Sequence, residues 1–368
     1  MTTLDELGLP EDLLRLLETT KGKKASVAMS GGVDSSVAAA MLKMAGADVR
    51  GIHMLTLPES DVAFNPKAIE DAKEMADYLG IGFETFDVRQ IFRDRVIDYF
   101  IEAYLNGKTP NPCAPCNIFV KFGLLMEHAM QNSDYYATGH YAISYFNGTR
   151  HCLKRPIDRN KDQTYVLGLL SQEVLSKAMF PLGHITKKHA REIAKRLGLK
   201  SSQSGESQDL CFVKCSRTEY IRNRIGNEDI GGEIVDGAGS VLAQHEGIYS
   251  FAIGQRRGLG IQGETPYFVK EIDPKTRRVT ISGFEGLLKE SFLVKDINYC
   301  SIEPLKEGES VDAEVVVRNR MEPQDCILTQ RGGFAEVRMR GKPIWAIAPG
   351  QIASFYSDDV VLASGFIA

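Results

Sequence analysis

Apolar residues in the first half of the chain alternate between short runs and helical spacing. Ala25–Met29 is an apolar run typical of a buried strand, and Val37, Ala40, Met41 and Met44 then recur at helical spacing. Further strands and helices are predicted in the same way at residues 49–54, 66–79, 81–88, 91–105, 117–131, 135–138 and 186–198. Repeated strand–helix units predict a doubly wound parallel sheet covered by helices, an α/β fold.

The pattern changes after about Cys215, where helical periodicity fades and glycines separate short β-rich runs. Alternating runs at 311–318, 334–339 and 352–356 predict an antiparallel sheet or small barrel. We therefore predict an N-terminal helical extension over 1–23 and a parallel-sheet α/β domain over 24–213. A small mixed central domain follows over 214–284, and a C-terminal antiparallel β-barrel domain occupies 285–368.

Composition and charge exclude several classes of protein. The chain is 43% hydrophobic and 25% charged, with a net charge of −4, so nucleic-acid binding must depend on local basic patches. No apolar run approaches the ~20 residues that cross a bilayer, and residues 1–18 lack the features of a signal peptide. We expect a cytoplasmic protein without a membrane partner. Seven cysteines, an odd number, argue against a disulfide scaffold and for functional thiols.

One strand-to-helix turn carries the strongest chemical signal: Ser30-Gly31-Gly32-Val33-Asp34-Ser35-Ser36. Its glycines permit a tight bend, and the free N–H groups and dipole of the following helix form an anion site. The serines add hydroxyl donors. A carboxylate such as Asp34 suits a phosphate site if Mg²⁺ lies between the two.

The turn contains neither G-x-x-x-x-G-K-[ST] nor G-x-G-x-x-G. It resembles instead the S-G-G-x-D-S loop of the PP-loop ATP pyrophosphatases. That resemblance implies that ATP is used to adenylate a carbonyl oxygen and that pyrophosphate is released.

Two further stretches contribute thiols. Cys113 and Cys116 form a C-x-x-C at a predicted helix start, where the helix dipole favours a thiolate, and Cys211 lies in a second loop. Three interpretations remain open at this point. One thiol carries a persulfide that the other attacks, or three thiolates bind an iron–sulfur cluster, or they bind zinc. Zinc is disfavoured because no fourth ligand stands at typical spacing.

These stretches occur in order with three others: Ala137-Thr138-Gly139-His140-Tyr141, Lys161-Asp162-Gln163-Thr164-Tyr165 and Gly254-Gln255-Arg256-Arg257-Gly258-Leu259-Gly260. The whole set resembles the bacterial tRNA-specific 2-thiouridylase family, from about residue 24 to Gln351. The resemblance implies ATP-dependent 2-thiolation of the wobble uridine of tRNA. The uracil 2-carbonyl oxygen is adenylated, and sulfur from a persulfide then displaces AMP.

The resemblance also implies a role for individual residues. Cys211 would carry the persulfide, and Cys116 would be the nucleophile. The positions implied to bind ATP are Ala28, Met29, Ser30, Gly31, Gly32, Val33, Asp34, Ser35, Met54 and Gly139. The positions implied to contact tRNA are Asn111, Pro112, Cys113, His140, Lys161, Asp162, Gln163, Arg318, Asn319 and Gln351. The partners would be tRNA and a sulfur donor, either a persulfide carrier protein, a cysteine desulfurase or sulfide.

Cys113 departs from the pattern, because the family usually has N-P-D-x-x-C with an aspartate at this position. That aspartate is a candidate acid/base or orienting group, and a thiol is a poor substitute for it. Cys113 therefore replaces the aspartate in that role or serves as a cluster ligand. We keep both the simple persulfide route and the cluster route, in which Cys113, Cys116 and Cys211 hold the iron.

Two rival functions make different demands on the sequence. Another PP-loop adenylating ligase with a small-molecule substrate would need no pair of thiol loops. A non-catalytic iron–sulfur or RNA-binding module would not turn over ATP. Basic residues at 150–161 favour RNA binding, whereas those on the helix after Thr186 are better explained as a solvated face.

Overall fold

The computed structural model describes residues 3–200, 210–226, 230–261, 266–319 and 321–368. Its first layer is a parallel sheet of five strands in the order β3-β2-β1-β4-β7. These are β1 Lys24–Ala28, β2 Asp48–Leu55, β3 Gly82–Asp87, β4 Tyr135–Ala137 and β7 Ala178–Met179. The strand order changes direction between β1 and β4, so a crevice opens there at the carboxyl ends of the strands.

Helices cover this sheet, and the helix predicted at 66–79 begins and ends where the pattern predicts. The N-cap Asn65 accepts a hydrogen bond from the backbone N–H of Ala68, and Gly80 ends the same helix in the left-handed conformation. The helices are α1 Glu11–Glu18, α2 Val33–Met44, α3 Pro66–Leu79, α4 Arg89–Phe92, α5 Asp98–Leu105, α6 Cys113–Pro115, α7 Leu125–Met130, α8 Thr164–Leu167, α9 Gln172–Leu175, α10 Lys187–Arg196 and α11 Arg217–Ile225.

Two predicted helices are interrupted by π-helical turns. Arg93–Ile97 separates α4 from α5, and Cys116–Leu124 separates α6 from α7. The helix predicted over 117–131 therefore starts earlier, at Cys113, because Pro112 serves as its N-cap. Cys113 and Cys116 consequently lie on a helix rather than on a loop before one.

The central region contains a four-stranded sheet in the order β10-β11-β8-β9. Strands β8 and β11 pair in parallel, and the other pairs are antiparallel. The strands are β8 Gly232–Val235, β9 Val241–His245, β10 Phe268–Asp273 and β11 Arg278–Ser282. Gly263, one of the glycines of the sequence pattern, lies outside the described residues.

The C-terminal region forms a closed six-stranded antiparallel barrel, because its first strand pairs with its last. The barrel strands are β13 Ser291–Tyr299, β14 Ser310–Val316, β15 Gln324–Arg331, β16 Phe334–Met339, β18 Ile352–Ser357 and β19 Val360–Ile367. A short pair, β12 Leu288–Lys289 and β17 Ile344–Trp345, lies beside it. The predicted fold class, an α/β domain followed by a central domain and a barrel, is confirmed.

The barrel is joined to the parallel-sheet region by a hairpin from an earlier part of the chain. Strands β5 Ile143–Phe146 and β6 His151–Lys154 form this hairpin, and Lys154 pairs with Val360 of β19. Apolar side chains of both regions then share one core. The domain boundaries remain a prediction, since this hairpin lies within residues 24–213 of the predicted first domain but extends the sheet of the barrel. Among the described residues, no helix is long and apolar enough to cross a membrane.

The N-terminal helix α1 contributes to the core of the parallel-sheet region. Leu13 and Leu17 are 0% exposed and pack in the same cluster as Val37 and Met41 of α2. We expect Leu13→Ala to lower the free energy of unfolding by about 2–5 kcal/mol, because it removes buried methyl groups and leaves a cavity. Denaturant-induced unfolding monitored by circular dichroism measures this loss.

Val62→Ala is the control, because Val62 is 89% exposed and its truncation opens no cavity. An unfolding midpoint of Leu13→Ala equal to that of Val62→Ala would contradict the packing of α1 on this core.

Candidate active site

The loop between β1 and α2 is shaped by close backbone contacts. Gly31 has a φ of +79°, and a Cβ at this position would lie 2.6 Å from the carbonyl oxygen of Ala68 in α3. Only glycine fits such a contact without movement of the neighbouring helix. The N–H groups at the start of α2 point into the crevice between β1 and β4, where an anion is favoured.

Serine side chains stabilise this loop internally. The Ser35 hydroxyl accepts a hydrogen bond from the Ser30 N–H at 3.1 Å, and the Ser36 hydroxyl donates to the Gly32 carbonyl at 2.9 Å. Ser35 and Ser36 are buried. These hydroxyls fix the path of the backbone, so the backbone N–H groups are the donors that the loop can offer to an anion.

The Asp34 carboxylate has hydrogen-bond partners from two later segments of the chain. The Lys187 ammonium, from the first turn of α10, lies 2.6 and 2.7 Å from its two carboxylate oxygens. The Tyr141 hydroxyl donates a third hydrogen bond to Asp34 at 2.8 Å. Sequence analysis placed the basic residues of α10 on a solvated face, and for Lys187 that interpretation is wrong because its ammonium pairs with this carboxylate.

The end of β4 packs directly on the glycine loop. A Cβ at Gly139 would lie 2.8 Å from the Ser35 nitrogen and 2.9 Å from the carbonyl carbon of Asp34. His140 follows, 8% exposed, with its Nδ1 2.8 Å from the Thr138 hydroxyl. Burial lowers the pKa of His140 well below its usual value, and the charge of Lys121 acts in the same direction. His140 is thus a neutral, buried side chain, and its contact with tRNA remains a prediction.

The end of β2 completes this edge of the sheet. Met54 lies near its last residue and packs among apolar side chains, while His53 Nδ1 lies 2.8 Å from the Met29 carbonyl oxygen. Ala28 ends β1 next to it, and Met29 follows directly. The positions expected to bind ATP therefore lie at the adjoining carboxyl ends of β1, β2 and β4.

The first thiol segment begins with an Asn turn and continues into the helix. The Asn111 side-chain oxygen accepts a hydrogen bond from the Cys113 N–H at 3.1 Å. Cys113 is exposed, whereas Cys116 is 6% exposed and packs in an apolar cluster. Next to it, the Asn117 side chain donates to the Val166 carbonyl at 3.3 Å and so connects this helix to α8.

The second thiol segment is held by aromatic packing. Phe212 is buried, with ring centroids 5.4 Å from Phe100 and 5.5 Å from Tyr220. Cys116 belongs to the same apolar cluster as Phe212. This anchoring places the exposed Cys211 beside the first thiol segment. Ser207, Gln208 and Asp209, which precede Cys211 in the sequence motif, lie outside the described residues.

The three thiols interact electrostatically. Burial raises the pKa of Cys116 to about 12, and negative charge on Cys211 or Cys113 raises it further. Desolvation also raises the pKa of Cys211. Lys121, five residues after Cys116 on the π-helical turn, opposes both increases. Thiols from two distant segments are thus near enough to affect one another's pKa, and their roles in sulfur transfer remain a prediction.

The donors around these thiols do not form a metal site as arranged. Over the described ranges, no group of three His, Cys, Asp or Glu side chains is positioned to hold a metal ion. All seven cysteines are free thiols. The persulfide route and the route through a cluster held by Cys113, Cys116 and Cys211 both remain predictions at this point.

The segment with Lys161, Asp162 and Gln163 is fixed by its own side chains. Asp162 accepts hydrogen bonds from the N–H and hydroxyl of Thr164 at 2.9 and 2.6 Å. The Gln163 side-chain oxygen accepts the Tyr141 N–H at 2.8 Å. Lys161, in the short 3₁₀ helix Arg159–Lys161, is half-buried. A contact with tRNA remains a prediction for all three.

Arg318 and Gln351 lie where the barrel meets the other regions. Arg318 donates to the Ala346 carbonyl at 2.7 Å and lies over the Trp345 ring at 4.4 Å. The Tyr165 hydroxyl donates to the Gln351 side chain at 3.2 Å. Asn319 is exposed. These three positions are distant in sequence from the thiols, and their role in tRNA contact also remains a prediction.

Sequence reasoning missed Lys121, Tyr141 and Lys187. Lys121 follows Cys116 at a spacing that faces the thiol only in a π-helical turn, which periodicity did not reveal. Tyr141 ends a quoted motif, and Lys187 follows the helix cap Thr186. The two side chains share Asp34 as a partner, and only the folded chain brings these segments together.

Family profiles match three consecutive stretches that together cover most of the chain. The "tRNA methyl transferase HUP domain" matches residues 23–215, and the "tRNA methyl transferase PRC-barrel domain" matches residues 218–283. The "Aminomethyltransferase beta-barrel domain" matches residues 289–367.

Named relatives are similar over nearly the full length. The tRNA-specific 2-thiouridylase MnmA 1 of Clostridium botulinum is 40% identical over 94% of this chain and 99% of the relative. The tRNA-specific 2-thiouridylase MnmA of Aquifex aeolicus is 41% identical over 94% of this chain and 98% of the relative. Among solved structures, the NMN synthetase of Francisella tularensis gives a TM-score of 0.36 at 14% identity, covering 56% of this chain and 76% of that one. This last likeness is too weak to argue from.

The electrostatic role of Lys121 predicts a measurable change in thiol reactivity. We expect Lys121→Met to slow iodoacetamide labelling of Cys211 at about pH 8, because the pKa of this thiol rises when the nearby positive charge is lost. A higher pKa leaves less thiolate at this pH, and the thiolate is the form that reacts, so labelling should slow severalfold. Peptide mass spectrometry of timed samples measures the labelling of each cysteine separately.

Lys43→Met is the matched control, because it removes the same charge from the exposed end of α2. Cys116 should label more slowly than Cys211 in every variant, since it is buried. Equal labelling rates for Cys211 in the Lys121 and Lys43 variants would refute the electrostatic role.

Proposed function

Because the chain belongs to the tRNA-specific 2-thiouridylase family, we propose how its residues perform the ATP-dependent 2-thiolation of the wobble uridine of tRNA. The chain is a tRNA-uridine 2-sulfurtransferase of the PP-loop type that uses ATP and acts on tRNA. The names of the family profiles mention methyl transfer, but the named relatives are thiouridylases. The two rival functions, a small-molecule ligase and a non-catalytic module, gain no support from the comparisons.

The observation that carries the proposal is that packing at Gly139 and the charge of Lys121 connect the glycine loop to the thiols. Gly139 packs against Ser35 and Asp34, and His140 follows it in the chain. The charge of Lys121 acts on His140 and on both Cys116 and Cys211. A nucleobase at this edge of the sheet would thus lie within reach of an adenylating site and a sulfur donor.

Adenylation is the first step that this arrangement supports. Backbone N–H groups at the start of α2 bind the phosphates of ATP, and Gly31 and Gly139 leave the space that a side chain would fill. The uracil O2 attacks the α-phosphorus, and pyrophosphate leaves. A carbonyl oxygen is a poor leaving group, whereas AMP is a good one, so this step prepares C2 for sulfur. Fixed N–H donors stabilise the charge that builds up on the transferring phosphoryl group.

Sulfur transfer follows through the two thiols. Cys211 receives a sulfur atom from an external persulfide and becomes Cys211–S–SH. The Cys116 thiolate attacks the inner sulfur, a Cys116–Cys211 disulfide forms, and hydrosulfide leaves. Hydrosulfide attacks C2 of the adenylated uracil, and AMP departs with the former O2. An external dithiol then reduces the disulfide and restores both thiols.

Metal ions are assigned no step in this route. Both oxygens of Asp34 contact Lys187, so Mg²⁺ would arrive with ATP and be held mainly by phosphates and water. The described donors do not fit an iron–sulfur cluster as arranged, and we favour the persulfide route over the cluster route. Cys113 takes the position of the family aspartate beside the target base, next to Asn111 and Pro112.

The remaining partners follow from the substrate. We propose that Lys161, Asp162 and Gln163, with His140, contact tRNA near the base, and that Arg318, Asn319 and Gln351 contact it from the barrel. For the route through Cys211–S–SH, the sulfur donor is a persulfide carrier protein or a cysteine desulfurase. Sulfide as donor would instead attack C2 of the adenylated uracil directly, because it cannot form a persulfide on Cys211 without an oxidant. Because the substrate is tRNA, a cytoplasmic location is proposed as well.

The proposal predicts a distinct loss in cysteine variants. With unmodified tRNA, ATP, Mg²⁺ and a persulfide donor, we expect Cys116→Ser and Cys211→Ser to reduce 2-thiouridine formation by about a thousandfold or more, as removal of a nucleophile does. Pyrophosphate release that depends on tRNA should persist in both variants, since adenylation precedes sulfur transfer. Mass spectrometry of tRNA nucleosides and a pyrophosphate assay measure the two steps.

Cys215→Ser is the control, because Cys215 is an exposed free thiol outside the proposed site. Iron and sulfide should be measured in the same anaerobically purified protein. An active, iron-free enzyme supports the persulfide route. Thiolation that rises and falls with iron content contradicts it, and pyrophosphate release without tRNA contradicts the assigned substrate.

A further inference from the structure

One polar path runs from the glycine loop to the segment around Lys161 through Tyr141. The Tyr141 hydroxyl donates to Asp34 at 2.8 Å, and the Tyr141 N–H donates to the Gln163 side-chain oxygen at 2.8 Å. The Gln163 N–H returns a hydrogen bond to the Tyr141 carbonyl at 3.1 Å. Tyr141 is 3% exposed. One buried residue therefore holds both Asp34 and Gln163.

A second path joins the same two places through Lys187. Its ammonium contacts both oxygens of Asp34, and its backbone N–H donates to the Asp158 carboxylate at 2.9 Å. The Asp158 side chain accepts a hydrogen bond from the Asn160 N–H, and the Asp158 carbonyl accepts one from the Lys161 N–H. The Lys187 side chain is 14% exposed. The segment from Asp158 to Gln163 is thus fixed at both ends by residues that also bind Asp34.

The 158–163 segment and the start of α2 are each held by hydrogen bonds of their own, without Tyr141 or Lys187. Asp158 already caps the 3₁₀ helix, and the Asp162 carboxylate accepts the N–H of Thr164, the first residue of α8. The start of α2 is already fixed by Ser30, Ser35 and Ser36. The Tyr141 hydroxyl and the Lys187 ammonium both contact the Asp34 carboxylate. These contacts connect the start of α2 to the 158–163 segment.

We propose that Tyr141 and Lys187 are positioning residues that couple nucleotide binding at the glycine loop to tRNA binding at residues 158–163. The inference rests on the proposed function, which assigns the two binding sites. A nucleotide that shifts Asp34 moves both ends of the 158–163 segment together, because each path is a chain of direct hydrogen bonds. By linkage, tRNA at this segment changes nucleotide affinity by the same factor.

The test measures the dissociation constant of full-length unmodified tRNA with and without a saturating non-hydrolysable α,β-methylene analogue of ATP and Mg²⁺. The ratio of the two constants is the coupling factor, and we expect about fivefold or more in the wild-type protein. Tyr141→Phe and Lys187→Met should each bring this factor closer to one. Each substitution removes one side-chain contact with Asp34. The backbone N–H groups of residues 141 and 187 still donate to Gln163 and Asp158.

Matched controls separate coupling from general effects. Lys188→Met removes the same charge from the next residue of α10, whose side chain is 89% exposed. Tyr145→Phe removes a hydroxyl from an exposed tyrosine of the hairpin. Both controls should keep the wild-type coupling factor. If Lys187→Met does not fold, Tyr141→Phe carries the same test, since it removes one oxygen atom.

The outcomes are distinct. Lower affinity for one ligand with an unchanged coupling factor would show a structural role for these residues and overturn the inference. A wild-type factor of one, with both ligands bound, would overturn it as well. Failure of the wild-type protein to bind tRNA or the nucleotide analogue would instead contradict the proposed function.

Discussion

The contact between the end of β4 and the start of α2 is the constraint on which the site depends. Strands β1 and β4 are parallel neighbours, and Gly139 approaches Ser35 so closely that no Cβ fits between them. This contact fixes the glycine loop, turns His140 inward and directs the chain into Tyr141. The strand order changes direction between β1 and β4, so the loops that follow these two strands leave in opposite directions. The crevice between the loops is where a nucleotide binds in such sheets.

Burial and charge oppose each other at the thiols. Raising the pKa of Cys116 from 9 to about 12 disfavours its thiolate by roughly 4 kcal/mol, so the resting side chain is a protonated thiol. Lys121 recovers part of this cost and acts on Cys211 in the same direction. A nucleophile kept protonated in an apolar cluster is protected from oxidation and alkylation, while the exposed Cys211 remains open to an external sulfur donor.

Local patterns predicted the parts of the fold in which one face is buried. The helix at 66–79 has its predicted limits because Asn65 and Gly80 mark its ends. Strand β19 was missed because Ser364 and Gly365, residues typical of turns, interrupt its apolar run, although it is as buried as the predicted strand β18. At the site, the motifs gave the glycine loop and the thiols. They did not give the Asp34–Lys187 pair, which joins segments that only the fold brings together.

The thiol at position 113 changes the electrostatics of the site in a direct way. Negative charge at Cys113 raises the pKa of both Cys116 and Cys211. The aspartate of the resembled family would carry that charge permanently at neutral pH, whereas a cysteine carries it only as a thiolate. Compared with the aspartate that the resemblance implies at this position, a neutral Cys113 thiol leaves less negative charge near Cys116 and Cys211, so their thiolates are less disfavoured. Lys121 and a Cys113 thiolate act on these two pKa values in opposite senses, because one adds positive charge near the thiols and the other adds negative charge.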